Sequence, residues 1–200
     1  KSLTFPQPDY PDLRTETSQL IGSNVFSFSN VLPAGGVNRT VFSGESSVNI
    51  GYSKWASNAN TFTGEKGIVN IELEKEFVND STVNVQGVFT FTETPVENPF
   101  VTVMILEDDI KHPQYYSRGT DKDYKHKHVV RKAITQYNGN PLLTPDSECS
   151  DVVKGTVFEK GWQVELPSDV DPENASVVAF VNYNAANNKE VIQCLELKLK

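Results

Sequence analysis

From Ile68 onward the chain alternates apolar and polar residues with a period of two. Val69, Ile71 and Leu73 alternate with Asn70, Glu72 and Glu74, as in a strand with one face in a core and the other in water. Val83, Val85, Phe89 and Phe91 repeat the pattern between Thr82 and Thr92, and Gly87 interrupts it like a bulge. Phe100 to Leu106 is almost continuously apolar, which predicts a central strand. Further strands are predicted over Lys127–Thr135, Asp151–Glu159, Trp162–Leu166, Ser176–Tyr183 and Glu190–Leu199. In the last of these, Ile192 and Cys194 share one parity and Leu195, Leu197 and Leu199 the other, so a bulge near Cys194 is expected. Turn signals separate the strands at Asn79-Asp80, Glu97-Asn98-Pro99, Asn138-Gly139-Asn140-Pro141, Asp171-Pro172 and Asn187-Asn188. Most of these connections are too short for the crossover helices that parallel strands need. The pattern predicts a mainly β protein, an antiparallel β-sandwich of immunoglobulin-like or jelly-roll-like type over residues 65–200.

The first 64 residues read differently, as a smaller mixed α/β segment. Pro6, Pro8 and Pro11 make the opening extended. Thr15-Glu16-Thr17-Ser18 has the small hydroxyl residues and the acid of a helix start, predicting a short helix over Thr17–Val25. A turn-rich stretch from Val31 to Arg39 leads into an expected strand at Val37–Phe42, and Lys54-Trp55-Ala56 is placed in a second short helix.

Composition narrows the class. The 200 residues are 38% hydrophobic and 10% aromatic, enough for a core and unlike a disordered chain. The net charge of −8 disfavours nucleic acid, which needs a basic footprint, and equally disfavours anionic lipid. No apolar run reaches the ~18 residues of a transmembrane helix. The chain opens at Lys1 without an initiator Met or a signal peptide, so a mature or trimmed product is expected, with any export signal or anchor outside it.

Chemistry concentrates in Tyr124-Lys125-His126-Lys127-His128-Val129-Val130-Arg131, downstream of the acidic Leu106-Glu107-Asp108-Asp109. On one strand face, His126 and His128 would lie roughly 6.5–7 Å apart, with Tyr124 and Val130 beside them. That pair could bind a first-row metal, completed by Asp108, Asp109, Asp121 or Asp123. The other reading is structural: histidines that bond a carbonyl or a carboxylate and lock a loop. Glu107, Asp108 and Asp109 lack the EF-hand spacing for calcium and read as a solvated strand end, or as partners for Arg131 or Lys132. Lys122, Lys125, Lys127, Arg131 and Lys132 form a basic island, diluted by Asp121 and Asp123. The long loop from Lys111 to Tyr124 is too polar for a core, and Tyr115, Tyr116 and Arg118 are its candidate contact residues. Trp55 and Trp162 are the other candidates for an aromatic platform. Cys149 and Cys194 could pair in an exported chain, but their contexts differ and favour free thiols. Neither a G-x-S-x-G elbow nor a phosphate-cradling glycine loop is present, so no catalytic residues are assigned.

Ile105-Leu106-Glu107-Asp108 followed by Tyr124-x-His126-x-His128-Val129-Val130-Arg131 resembles the outer membrane protein Omp28 family, lipoproteins of Gram-negative anaerobes. Leu32-Pro33-Ala34-Gly35-Gly36-Val37-Asn38-Arg39 looks like the P-x-G-x-x-N-R signature upstream in that family, and the strands around Ser176–Val181 and Glu190–Gln193 resemble its C-terminal pair. The resemblance implies an outer-membrane, lipid-anchored protein on the cell surface or periplasmic face, its anchor outside this chain. Many relatives carry an N-terminal thioredoxin-like part with a C-x-x-C-P motif. This sequence has only Cys149 and Cys194 and no CxxC, so redox chemistry is not carried over, although Pro33 stands where the family's cis-proline would. The expected function is a non-enzymatic cell-surface module for binding or adhesion, with an extracellular protein or carbohydrate ligand and no cofactor. The alternative is the C-terminal docking domain of a thioredoxin-like redox lipoprotein; a metal-dependent enzyme using His126 and His128 is a third.

Overall fold

The computed structural model describes Tyr10, residues 12–27 and residues 33–200. The proline-rich opening, apart from Tyr10, and Val31 and Leu32 of the turn-rich stretch lie outside the described residues. In chain order the elements are helix α1 (Glu16–Asn24), strands β1 (Ala34–Gly35) and β2 (Ile50–Gly51), a 3-10 turn (Tyr52–Lys54), helix α2 (Trp55–Asn60), and strands β3 (Val69–Phe77), β4 (Thr82–Phe91), β5 (Phe100–Glu107), β6 (Ile110–Lys111), β7 (Gln114–Tyr116), β8 (Gly119–Asp121), β9 (Lys125–His126), β10 (Val129–Ala133), β11 (Asn140–Pro141), β12 (Val157–Glu165), β13 (Ala175–Asn182) and β14 (Val191–Lys198).

The long strands form two antiparallel sheets. One runs β12-β4-β3, and the other runs β10-β5-β13-β14 with β11 also pairing β5. Counting the seven long strands in chain order, the second pairs with the first and fifth, while the third pairs with the fourth and sixth and the seventh follows the sixth. That is the pairing of an immunoglobulin-like Greek key with its fourth strand in the second sheet, which decides against a jelly roll. Between the sheets, β4 buries Val83, Val85, Phe89 and Phe91, β5 buries Val101, Val103 and Ile105, and β13 buries Ala175, Val177, Ala179 and Val181. Each such large side chain contributes roughly 1.5–3 kcal/mol by leaving water. β5 is central, as its apolar run predicts: it pairs β10 and β11 on one side and β13 on the other.

Several expectations are corrected. The strand expected at Val37–Phe42 is a turn, because Asn38 (φ 49°) and Arg39 (φ 54°) are both left-handed. Gly87 makes no bulge: the registers of β4 with β3 and with β12 run through it unshifted. A Cβ there would lie 3.0 Å from the Phe89 ring, so glycine makes room for that ring. The strands expected at Asp151–Glu159 and Trp162–Leu166 merge into one continuous strand, β12, since Gly161 pairs in register with Gln86, but it begins only at Val157 and residues 151–156 are turn and irregular. The bulge expected near Cys194 falls at Ile192, where the register with β13 shifts; Ile192 and Leu197 can then both pack against the core.

The N-terminal segment covers the outer face of the larger sheet. α1 begins at a capping box in which Thr15 and Ser18 bond each other's backbone N–H, one residue before the predicted start. Leu13 is buried with Ile110 and Val129. Asn38 O accepts the N–H of Val191 at 2.7 Å, and Arg39 lies over Phe180. Trp55 donates its indole N–H to Ile50 O at 3.0 Å and Trp162 packs against the sandwich core, so both tryptophans serve packing. Cys149 and Cys194 are free thiols.

Candidate functional site: a hairpin arm and its joint

The segment expected as a loop from Lys111 to Tyr124 is a β-hairpin that prolongs the β5–β10 pair beyond the sandwich. After Glu107 pairs with Val129, both strands break, Asp109 (φ 58°) on one side and His128 (φ 51°) on the other. The ladder resumes with Ile110 opposite His126 and Lys111 opposite Lys125. It breaks again at His112-Pro113, where proline cannot donate. It ends as Gln114 opposite Asp121, Tyr115 opposite Thr120 and Tyr116 opposite Gly119. Ser117 and Arg118 form the turn at the tip.

At the joint every acid of the Glu107-Asp108-Asp109 segment is engaged. Glu107 is buried at the end of β5. It accepts a hydrogen bond from Arg131 and another from the N–H of Asp171 at 3.0 Å. Arg131 occupies a register shift between Val130 and Lys132, and a bulge re-aims the side chain it carries. Its guanidinium also reaches Asp169 at 2.5 Å. Asp108 accepts the backbone N–H of His128 at 2.7 Å and an ammonium N–H of Lys198 at 3.2 Å. The bond from His128, more than Lys198, holds its carboxyl below the usual range. Asp109 approaches Lys127 at 3.9 Å. Lys132 does not join them; it donates to Glu165 O.

His126 is fully buried and its Nε2 lies 3.0 Å from His112 O. A carbonyl only accepts, so Nε2 carries the proton. The same logic puts the proton of His112 on Nδ1, 3.1 Å from Pro113 O. His112 Nε2 is then a buried acceptor without a hydrogen-bond donor among the described residues. The two imidazoles meet edge-on at 5.7 Å, Tyr124 packs on His126 at 4.7 Å, and Tyr10 tilts against His112 at 5.5 Å. His128, by contrast, is exposed, its ring between Asp108 and Glu196. Ser176 foremost, and then His128, hold the Glu196 carboxyl below its ordinary range.

The expectation that His126 and His128 share one strand face is therefore corrected. The strand breaks at Lys127-His128, sending one ring inward and the other to solvent. Among the described residues no group of three or more His, Cys, Asp or Glu could hold a metal ion. The residue that sequence reasoning missed is His112, whose ring meets that of His126 edge-on. Its one signal was the neighbouring Pro113, which breaks the ladder and turns the ring inward.

The tip is the exposed part. Tyr115 and Tyr116 are 57% and 56% exposed, and Arg118 is exposed beside them. Desolvation, then Tyr124 and Asp121, raise the Tyr116 hydroxyl above the ordinary phenol value. Lys111 and Asp123 pair at 2.5 Å across the arm.

The model of the family described as outer membrane protein Omp28 matches residues 24–200. The chain belongs to that family. Omp28 membership makes it an outer membrane protein, and residues 105–131, which form the joint, lie inside the matched region. HBP35 of Porphyromonas gingivalis superposes with a TM-score of 0.68 at 16% identity, covering 90% of this chain. It shares the fold. The chain spans 56% of the length of HBP35. A domain of the outer membrane lipoprotein Omp28 from the same organism is 21% identical, with a TM-score of 0.43 over 67% of this chain and 89% of that one. No curated protein sequence matches the chain.

Proposed function

We propose that this chain is a non-enzymatic, surface-exposed, lipid-anchored module that binds an extracellular protein or carbohydrate through the arm tip. The observation that carries the reading is the contrast along the arm. Its joint is fastened by buried polar contacts, whereas Tyr115, Tyr116 and Arg118 stand in solvent on a paired hairpin. Aromatic and arginine side chains dominate binding energy at interfaces, and a fixed hairpin loses less entropy on binding than a free loop. Tyr124, His126, His128 and Arg131 then set the direction of the arm and do not touch the ligand.

The test applies the chain to arrayed glycans and to purified extracellular-matrix proteins, alongside a variant with Tyr115→Ser, Tyr116→Ser and Arg118→Ser. The expected result is binding by the parent that the variant loses at unchanged melting temperature. Equal binding by the two chains would refute the role of the tip. The other reading, a docking domain of a redox lipoprotein, rests on the thioredoxin-like part that the family resemblance implies for many relatives. A CxxC motif encoded upstream of Lys1 would support it.

A further inference from the structure

Arg39 is a buried cation without an anion among the described residues. It is 8% exposed, and its guanidinium carbon stands 4.9 Å from the centre of the Phe180 ring. Buried charges are ordinarily paired, as Arg131 is with Glu107 and Asp169. Among the described residues no carboxylate pairs with Arg39. Burial pulls its pKa down to about 10, with no acid opposing that pull. From Phe26 to Ser47 the sequence holds one acid, Glu45, and Lys54 pairs with it. Glu190, across the turn, reaches Thr40 Oγ1 at 3.4 Å.

The backbone that delivers this cation is itself unfavourable. Asn38 and Arg39 are consecutive left-handed residues, a conformation uncommon outside glycine. The turn is closed by Thr40 N–H to Val37 O at 3.0 Å and fixed to the sheet by Val191 N–H to Asn38 O at 2.7 Å. Strain held in place by surrounding contacts, together with an uncompensated charge, is unrewarded by folding alone. A leucine or methionine would cover Phe180 without the charge. A groove of about 390 Å³ runs beside the same turn, on the Asn38 side, and its walls carry Lys66 together with the acids Glu65 and Glu190; the subsite proposed below is the Arg39 guanidinium over Phe180 and not this groove.

We propose that Arg39, backed by Phe180, is a subsite for one oxyanion of carboxylate, phosphate or sulfate type, gripped by the guanidinium fork and separate from the arm. The planar fork suits two parallel bonds to such an anion, and the aromatic face behind it holds the plane.

The experiment titrates the purified chain with sodium acetate, phosphate or sulfate against chloride at constant ionic strength. It follows the melting temperature and the Arg Nε–Hε resonances in NMR spectra. The expected result is a saturable shift of one arginine resonance and a saturable rise in melting temperature with at least one oxyanion; the three arms identify its class. Arg39→Met should lose that response, and Arg39→Lys should weaken it by on the order of tenfold, because a point charge replaces the fork. Equal responses from parent and Arg39→Met would overturn the proposal in favour of a general salt effect. If Arg39→Met does not fold, the parent's own titration decides: a flat set of Nε–Hε resonances would make Arg39 a packing cation for Phe180 and nothing more.

Discussion

Replacing Arg131 with methionine keeps most of the side-chain bulk and removes the charge that faces Glu107. Both side chains are nearly sealed from water, at 6% and 7% exposure. Glu107 would keep one hydrogen bond, the 3.0 Å contact from Asp171 N–H. Removing one partner of a buried pair costs about 3–5 kcal/mol, because the remaining charge is neither hydrated nor paired. Set against a total stability of about 5–15 kcal/mol, that is enough to unfold a marginal domain. The second acid on the same guanidinium supplies an internal control. Asp169 is 60% exposed, so Asp169→Ala should cost about 1 kcal/mol or less. Combining Arg131→Met with Glu107→Gln should recover part of the loss, since the amide leaves no buried charge. The assay is urea unfolding followed by tryptophan fluorescence, with Trp162 packed against the core as reporter. A loss below about 1 kcal/mol for Arg131→Met, or equal losses for Arg131→Met and Asp169→Ala, would mean that water screens the Glu107 contact and that this argument fails.

His126→Ala should cost about 2–4 kcal/mol, from one buried hydrogen bond, two edge-on ring contacts and a cavity; hydrogen exchange should then quicken at the amides of residues 110–126 before those of the sandwich. His112→Phe keeps a ring and removes the undonated Nε2 at the loss of the bond to Pro113 O, so chemical denaturation should find it within about 1 kcal/mol of the parent. His128→Gly keeps the N–H that Asp108 accepts and relieves a left-handed residue, so it should change stability by less than about 1 kcal/mol, whereas Asp108→Ala should cost more. The carboxyls of Asp108 and Glu196 are both held below their usual range. Their stabilising contribution is therefore complete at neutral pH and is lost as the solution is acidified through about pH 4 and below; Asp108→Asn should flatten that acid limb in melts recorded between pH 3 and 7.

The sandwich was legible because a half-buried strand writes its burial into alternate residues. Val69 to Leu73 and Val83 to Phe91 could be read almost residue by residue. What was not legible follows from interactions that have no local period. Gly161 and Gly87 look like interruptions, yet each pairs in register with strands distant in sequence. At the joint, a residue spacing of two implied one strand face for His126 and His128. The left-handed conformations of Asp109 and His128 break that inference; both residue types are enriched in that region, but only a small minority of them adopt it, so the sequence alone did not place the break. The pairing of Arg131 with Glu107 was among the partners the sequence offered. The inward turn of Arg131 at a bulge, and the edge-on contact of His112 with His126, depend on two chain segments meeting.

The paired breaks at Asp109 and His128 explain why this joint uses side chains where an ordinary hairpin uses its ladder. Between Glu107–Val129 and Ile110–His126 the regular pairing lapses, leaving backbone groups that must find other partners. The Asp108 carboxylate takes one of them, His128 N–H, while Asp108's own N–H turns to Asn174 O at 2.9 Å. Arg131 and Glu107 clamp the sheet side of the break, and His126 bonded to His112 O clamps the arm side. A flexible joint would need none of these contacts, and a continuous ladder would need no left-handed residues. The arrangement is that of a fixed bend, which sets the direction in which Tyr115, Tyr116 and Arg118 leave the sandwich. In that light the Tyr-x-His-x-His-Val-x-Arg motif is a set of fasteners for the polar stretch that we propose as the binding tip.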